Sequence, residues 1–235
     1  MDDVQISVWH YFSFDQALTA CTLSRQCGRL EAEKRAGTAG EGSLSEHMSY
    51  AIGSVIASFC FLEATINEFY ATASRDNLEV AGGRGGLDPV DRQRIAAIAK
   101  DAEKLSTLTQ FQLALAVLRK PPLDTGARPY SEAELLRRLR NELVHYTPRL
   151  RPSDSGESGS NSDSHALVTA LLQRRFEPNP FYADFANPYF PQKCLGHGCT
   201  TWAWKAALAF ADTFHERVGI SPVYEDARAH GRLEP

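Results

Sequence analysis

The chain has 235 residues, 43% hydrophobic and 23% charged, with a formal net charge of −4. That length suits one large domain or two small ones, with enough apolar material for a core that needs neither metal nor disulfides. The acidic excess excludes a protein that coats nucleic acid by bulk electrostatics, although a local basic site remains open.

Helical periodicity dominates from the start. Residues 14–35, FDQALTACTLSRQCGRLEAEKR, are strong helix formers without proline, and GTAGEGS then forms a loop. Ser43 or Ser45 is placed to cap a second helix over about 45–74, with Ile52, Val55, Ile56, Phe59, Leu62, Ile66, Phe69 and Tyr70 recurring at three- and four-residue steps. A glycine-rich loop follows, and Asp88–Pro89 marks the next helix start. Residues 89–105 and 107–119 form one kinked helix or two short ones. After the loop PPLDTGARPY, Ser131 and Glu134 make a capping-box pattern. Pro148 disfavours helical geometry at Thr147, so this helix ends near His145 or Tyr146.

Residues 151–164 form a polar low-complexity run, expected to be a mobile surface loop. HALVTALLQRRF is a short helix, and EPNPFYADFANPYFPQ lies irregularly over the bundle. A last helix turns Trp202, Ala206, Ala209, Phe210, Phe214 and Val218 inward. There is no strand-like alternation and no internal repeat. The expectation is a single all-α domain over 1–235, an antiparallel bundle of four or five main helices with its core at about 13–220 and a tail at 221–235.

Cys21, Cys27, Cys60, Cys194 and Cys199 are odd in number and mostly sit in apolar helical patterns, as reduced thiols do. The N-terminal MDDVQISVWHYF lacks the basic and apolar regions of a signal peptide. No run approaches eighteen consecutive apolar residues, so no membrane span and a cytoplasmic location are expected.

The chemistry concentrates in RNELVH, residues 140–145. Arg138, Asn141 and His145 are spaced to line one helical stripe, whereas Arg140 and His145 stand about 140° apart around the axis. His145 lies near the helix C-terminus, whose dipole attracts positive charge. In RNA cleavage by the 2′-hydroxyl, a histidine can serve as general acid or base. An arginine can stabilise charge on the non-bridging oxygens. The ordinary alternative is a solvated helix end.

The stretch resembles the motif of the HEPN superfamily: an arginine, a polar residue, and a histidine a few positions on, here Arg140, Asn141 and His145. Residues 58–70, SFCFLEATINEFY, look like the long helix that precedes that motif, and residues 202–219 are similar to the family's C-terminal helix. The resemblance covers about 44–219. It implies a helical homodimer that brings two Arg–His motifs into one cleft. It also implies metal-independent cleavage of RNA, without cofactor, in toxin–antitoxin or other defence systems, under an antitoxin or regulatory protein partner. Other members only bind RNA or partners. One toxin branch has a tyrosine two residues after the histidine, where this chain has Thr147, so that residue's role is not implied.

Glu63 falls on the stripe of the long helix, where a carboxylate needs a partner. An arginine of the motif helix would serve, whether to orient Arg140 or Asn141 or as a structural ion pair. CLGHGC brings Cys194, His197 and Cys199 within six residues, but zinc lacks a fourth ligand there, and a glycine-containing turn is the simpler reading. Arg137, Arg138, Arg149, Arg151, Arg174 and Arg175 could converge on a phosphate-binding surface. The aromatics of 181–190 could stack bases or cover the bundle.

Overall fold

A computed structural model describes residues 10–74, 86–147, 162–183 and 187–235. Eight α-helices are present among them: α1 Phe12–Arg35, α2 Ser43–Ala73, α3 Pro89–Ala102, α4 Thr107–Val117, α5 Tyr130–Val144, α6 Ser162–Leu172, α7 His197–Val218 and α8 Glu225–Ala229. No strand occurs among the described residues, and the all-α expectation holds.

Local chemistry explains most of the boundaries. Asp88 caps α3 as its sequence implies, its Oδ1 accepting from Val90 N at 2.9 Å and Asp91 N at 3.0 Å. The 89–119 stretch is two helices, interrupted at 103–106. The serine caps do not form. Gly42 precedes α2 with φ +84, while the Ser43 hydroxyl donates back to Gly40 O at 2.8 Å. The Ser131–Glu134 box is likewise absent, because α5 begins at Tyr130 and Glu134 binds Arg137 through two contacts of 2.7 and 2.8 Å. Both glutamate oxygens are thereby taken by a charged partner rather than by a backbone N–H. The polar run at 151–164 falls largely outside the described residues.

The helix α2 is the axis of the fold. It runs antiparallel to α1, as three contacts show: Ser13 with Glu68, Ser54 with Ala20 O, and Cys27 with His47. Partner numbers fall as α1 numbers rise. By contrast α7 runs parallel to α2, Phe61 meeting Trp204 and Phe69 meeting Phe214 at ring centroids 5.1 and 5.2 Å apart. The antiparallel order therefore does not extend to that pair, since the long chain between α2 and α7 lets α7 approach from the same end. Phe111 of α4 closes the aromatic core against Phe210 and Phe214 at 4.9 and 4.8 Å. By length and composition α2 could cross a membrane. Its apolar residues instead face the bundle, with Val55, Phe61, Leu62 and Ile66 wholly buried.

Two expectations for the C-terminal part need correction. Within α7, Ala206, Phe210, Phe214 and Val218 are buried as expected, but Trp204 is fully buried where Trp202, only half-buried, was expected, and Ala209 is exposed. Nor are residues 221–235 a tail. Tyr224 is wholly buried beside Phe61 and His215, Ala227 and Leu233 are buried, and Trp204 Nε1 donates to Leu233 O at 2.8 Å.

Where α5 meets α6 and α7, Glu132 binds three side chains: Trp202 Nε1 at 2.5 Å, Arg174 at 2.9 Å and Arg128 at 3.2 Å. Burial alone would raise its pKa, but the hydrogen bonds from Trp202 and Arg174 and the neighbouring charges outweigh it, and the net shift is downward. A carboxyl with a depressed folded pKa stabilises the fold above its unfolded pKa. That contribution disappears as pH falls through the lower folded value. Glu132→Gln is thus expected to narrow the stability difference between neutral and acidic pH in urea titrations. An unchanged difference would show that Glu132 does not set the acid response.

Candidate functional site

The site forms where the last turns of α5 cross the middle of α2. Arg140 leaves α5 and lies across two residues of the long helix, Phe59 and Glu63. Its Nη2 binds Glu63 Oε1, and its guanidinium carbon stands 4.9 Å from the centroid of the Phe59 ring. Nη1 donates to Asn141 Oδ1 at 3.0 Å. The arginine side chain is 19% exposed and the glutamate 33%, so the pair is half-buried where the two helices cross. Stacking on Phe59 and bonding to Glu63 together restrict a long side chain to one pose. Phe59 is on α2's stripe because the core requires it; its second use, as a platform for Arg140, is not signalled by periodicity. Cys60, half-buried, lies within the influence of the same pair. Burial, and then the negative charge of Glu63, push its thiol pKa up, so it is a neutral thiol rather than a nucleophile.

His145 ends α5 as its C-cap, with φ −107 and ψ 34, and its backbone N–H closes the last turn on Asn141 O at 2.9 Å. Its side chain is exposed and takes part in no hydrogen bond or ion pair among the described residues. The exposed side chains of Val144 and Tyr146 flank it, 49% and 45% accessible. Arg138 and Asn141 are half-buried on the same helix. Within one chain, therefore, Arg140, Asn141 and Glu63 are brought together, while His145 is directed outward and makes no bond to Arg140.

The wider basic surface does not assemble as the arginine count suggests. Arg137 is bound by Glu134 and Arg174 by Glu132, while Arg149 and Arg151 lie outside the described residues. The aromatics of 181–190 are also largely spoken for: Phe181 and Phe190 are buried, with Phe181 packed 5.0 Å from the His47 ring.

The CLGHGC segment opens α7 rather than making a zinc knuckle. Cys194 and Cys199 are buried, and the His197 ring is turned away to donate from Nδ1 to Ser24 O at 3.0 Å. Its backbone N–H instead donates to Glu31 Oε1 at 2.6 Å. Glu31 sits with Cys27 and His47 in a buried polar cluster not foreseeable from spacing, because its members lie on two helices separated by a loop. No family model, curated protein or solved structure matches the chain.

Proposed function

We propose that the protein is a HEPN-like, metal-independent endoribonuclease of a defence or toxin–antitoxin type system, acting in the cytoplasm as a homodimer. The observation that carries this reading is the pose of Arg140, stacked on Phe59 and bonded to Glu63 and Asn141, five residues from an unencumbered histidine. A preset guanidinium costs little reorganisation when charge builds on a phosphorane, and an exposed imidazole can move protons to and from substrate. In a dimer, Arg140 of one subunit would work beside His145 of the other. The exposed Val144 and Tyr146 give such a dimer apolar surface to cover at the motif end of α5. His145 would take the 2′-hydroxyl proton or protonate the leaving 5′-oxygen, Arg140 would hold the non-bridging oxygens, and Asn141 would orient Arg140. Glu63, with Arg138 nearby, would support the arginine rather than touch RNA. An antitoxin or regulatory protein partner would act by covering the site.

The second reading is a non-catalytic helical dimer that binds RNA, a nucleotide or a protein partner. It is favoured by the separation of Arg140 and His145, which make no bond to each other within one chain. Incubating the protein and its His145→Ala variant with mixed RNA in EDTA separates the two. Circular dichroism should first verify that both stay folded. The ribonuclease leaves 2′,3′-cyclic phosphate or 3′-phosphate ends with wild type only. Retention of RNA without products selects the binding module, and equal cleavage by both proteins removes His145 from the mechanism.

A further inference from the structure

Three side chains with metal-ligand chemistry converge near the start of α2. Cys27 and Glu31 are one turn apart on α1, and His47 reaches them from α2. Cys27 Sγ lies 3.1 Å from His47 Nε2, which lies 3.0 Å from Glu31 Oε1; the remaining side, sulfur to oxygen, is 3.9 Å. Donors bound at about 2.0–2.3 Å to one zinc ion are themselves roughly 3–4 Å apart, so one point can satisfy all three. Every member is removed from solvent: Cys27 and His47 are 0% exposed and Glu31 3%.

Hydrogen bonding alone serves the Cys27 thiol poorly. His47 Nε2 carries at most one proton, yet it faces a thiol and a carboxylate oxygen at once. When it donates to Glu31, the thiol is left with an oxygen 3.9 Å away. When it accepts from the thiol, Glu31 loses that donor.

We propose that Cys27, Glu31 and His47 form a buried site for a zinc-class divalent metal ion, with a water molecule as its fourth ligand. A thiolate, a carboxylate and a neutral imidazole around a divalent cation sum to zero charge, the condition a buried site requires. The mixed sulfur, nitrogen and oxygen set suits zinc among the common ions. Outer partners already hold the ligands: Glu31 Oε1 accepts from His197 N, and Glu31 Oε2 from Arg35 at 3.2 Å. Gly196 belongs to the same frame, since a Cβ there would stand 2.7 Å from Glu31 Oε1. On metal binding the thiol proton leaves to solvent and the imidazole proton moves to Nδ1, so the Asn179 amide, whose Nδ2 donates toward Nδ1 from 3.4 Å, has to turn aside. The site ties α1 to α2 and, through His197, to the start of α7. Sixteen helical residues separate His47 from Glu63, about 24 Å along α2, so this ion takes no part in chemistry at Arg140. The inference stands whether or not the protein cleaves RNA.

Refolding the protein with one equivalent of zinc, desalting it and measuring metal by mass spectrometry tests the site. One ion per chain is expected, with a melting temperature above that of metal-free protein. Cys27→Ser and His47→Gln should lose the ion, while Cys194→Ser keeps it. X-ray absorption on zinc-loaded wild type should find one sulfur among nitrogen and oxygen donors, a readout that decides the matter even where a variant does not fold. Wild type that retains no metal overturns the proposal. So do folded Cys27→Ser and His47→Gln proteins that both keep it, or a coordination shell with two sulfurs or none.

Discussion

Replacing Arg140 with alanine is expected to reduce RNA cleavage by about 10²–10³-fold, the loss typical of removing one preorganised donor to a developing oxyanion. It should also cost stability, which the loss of His145 should not. Removing Arg140 strips Glu63 of its partner and uncovers Phe59, together about 1–2 kcal/mol at this half-buried position. His145→Ala removes an exposed side chain without bonds, so its unfolding free energy should stay within about 0.5 kcal/mol while activity falls by about 10²–10⁴-fold. Mixing the two inactive variants tests the shared cleft. In a heterodimer, Arg140 of one chain meets His145 of the other, and activity should return. Mixtures that form heterodimers yet stay inactive would place both residues in one subunit's site. Glu63→Gln separates support from structure. As a positioning residue, Glu63 should lower kcat with little change in KM; a melting shift with unchanged kcat would leave it a structural ion pair.

Deleting residues 221–235 is the second large effect. Tyr224 fills the space between Phe61 and His215, and Leu233 caps Trp204 while accepting its indole N–H. Returning the tyrosine and leucine to water costs about 3–6 kcal/mol, and the orphaned indole N–H adds to it. In a chain of this size that corresponds to a fall in melting temperature of roughly 10–20 °C. Tyr224→Phe, which loses only the 2.9 Å hydrogen bond to Asp212, should fall by a few degrees at most. If the truncated protein melted with wild type, the C-terminal segment would be an appendage and the packing around Trp204 would not depend on it.

The sequence by itself determined that this protein is helical, and where most helices lie. The apolar steps from Ile52 to Tyr70 specify a long core helix because burial repeats with the helical period. Asp88–Pro89 fixes the start of α3 through geometry confined to neighbouring residues. Serine caps failed where a competing partner was closer: Ser43 turned to Gly40 O, and Glu134 was taken by Arg137. Which tryptophan of α7 enters the core was hidden because Trp202 and Trp204 have the same hydrophobicity. Only tertiary structure reserved one for Glu132 and the other for the core. The last fifteen residues look polar and short of periodicity, yet their few apolar side chains plug a hole made by other helices. At the candidate site, the residues were legible but not their partnerships. Arg140 and Glu63 are 77 residues apart, and helix crossing alone made them a pair. The same holds for Cys27, Glu31 and His47. Spacing on α1 places the first two together, but the third arrives on another helix, in a register set by packing along the whole of α1 and α2.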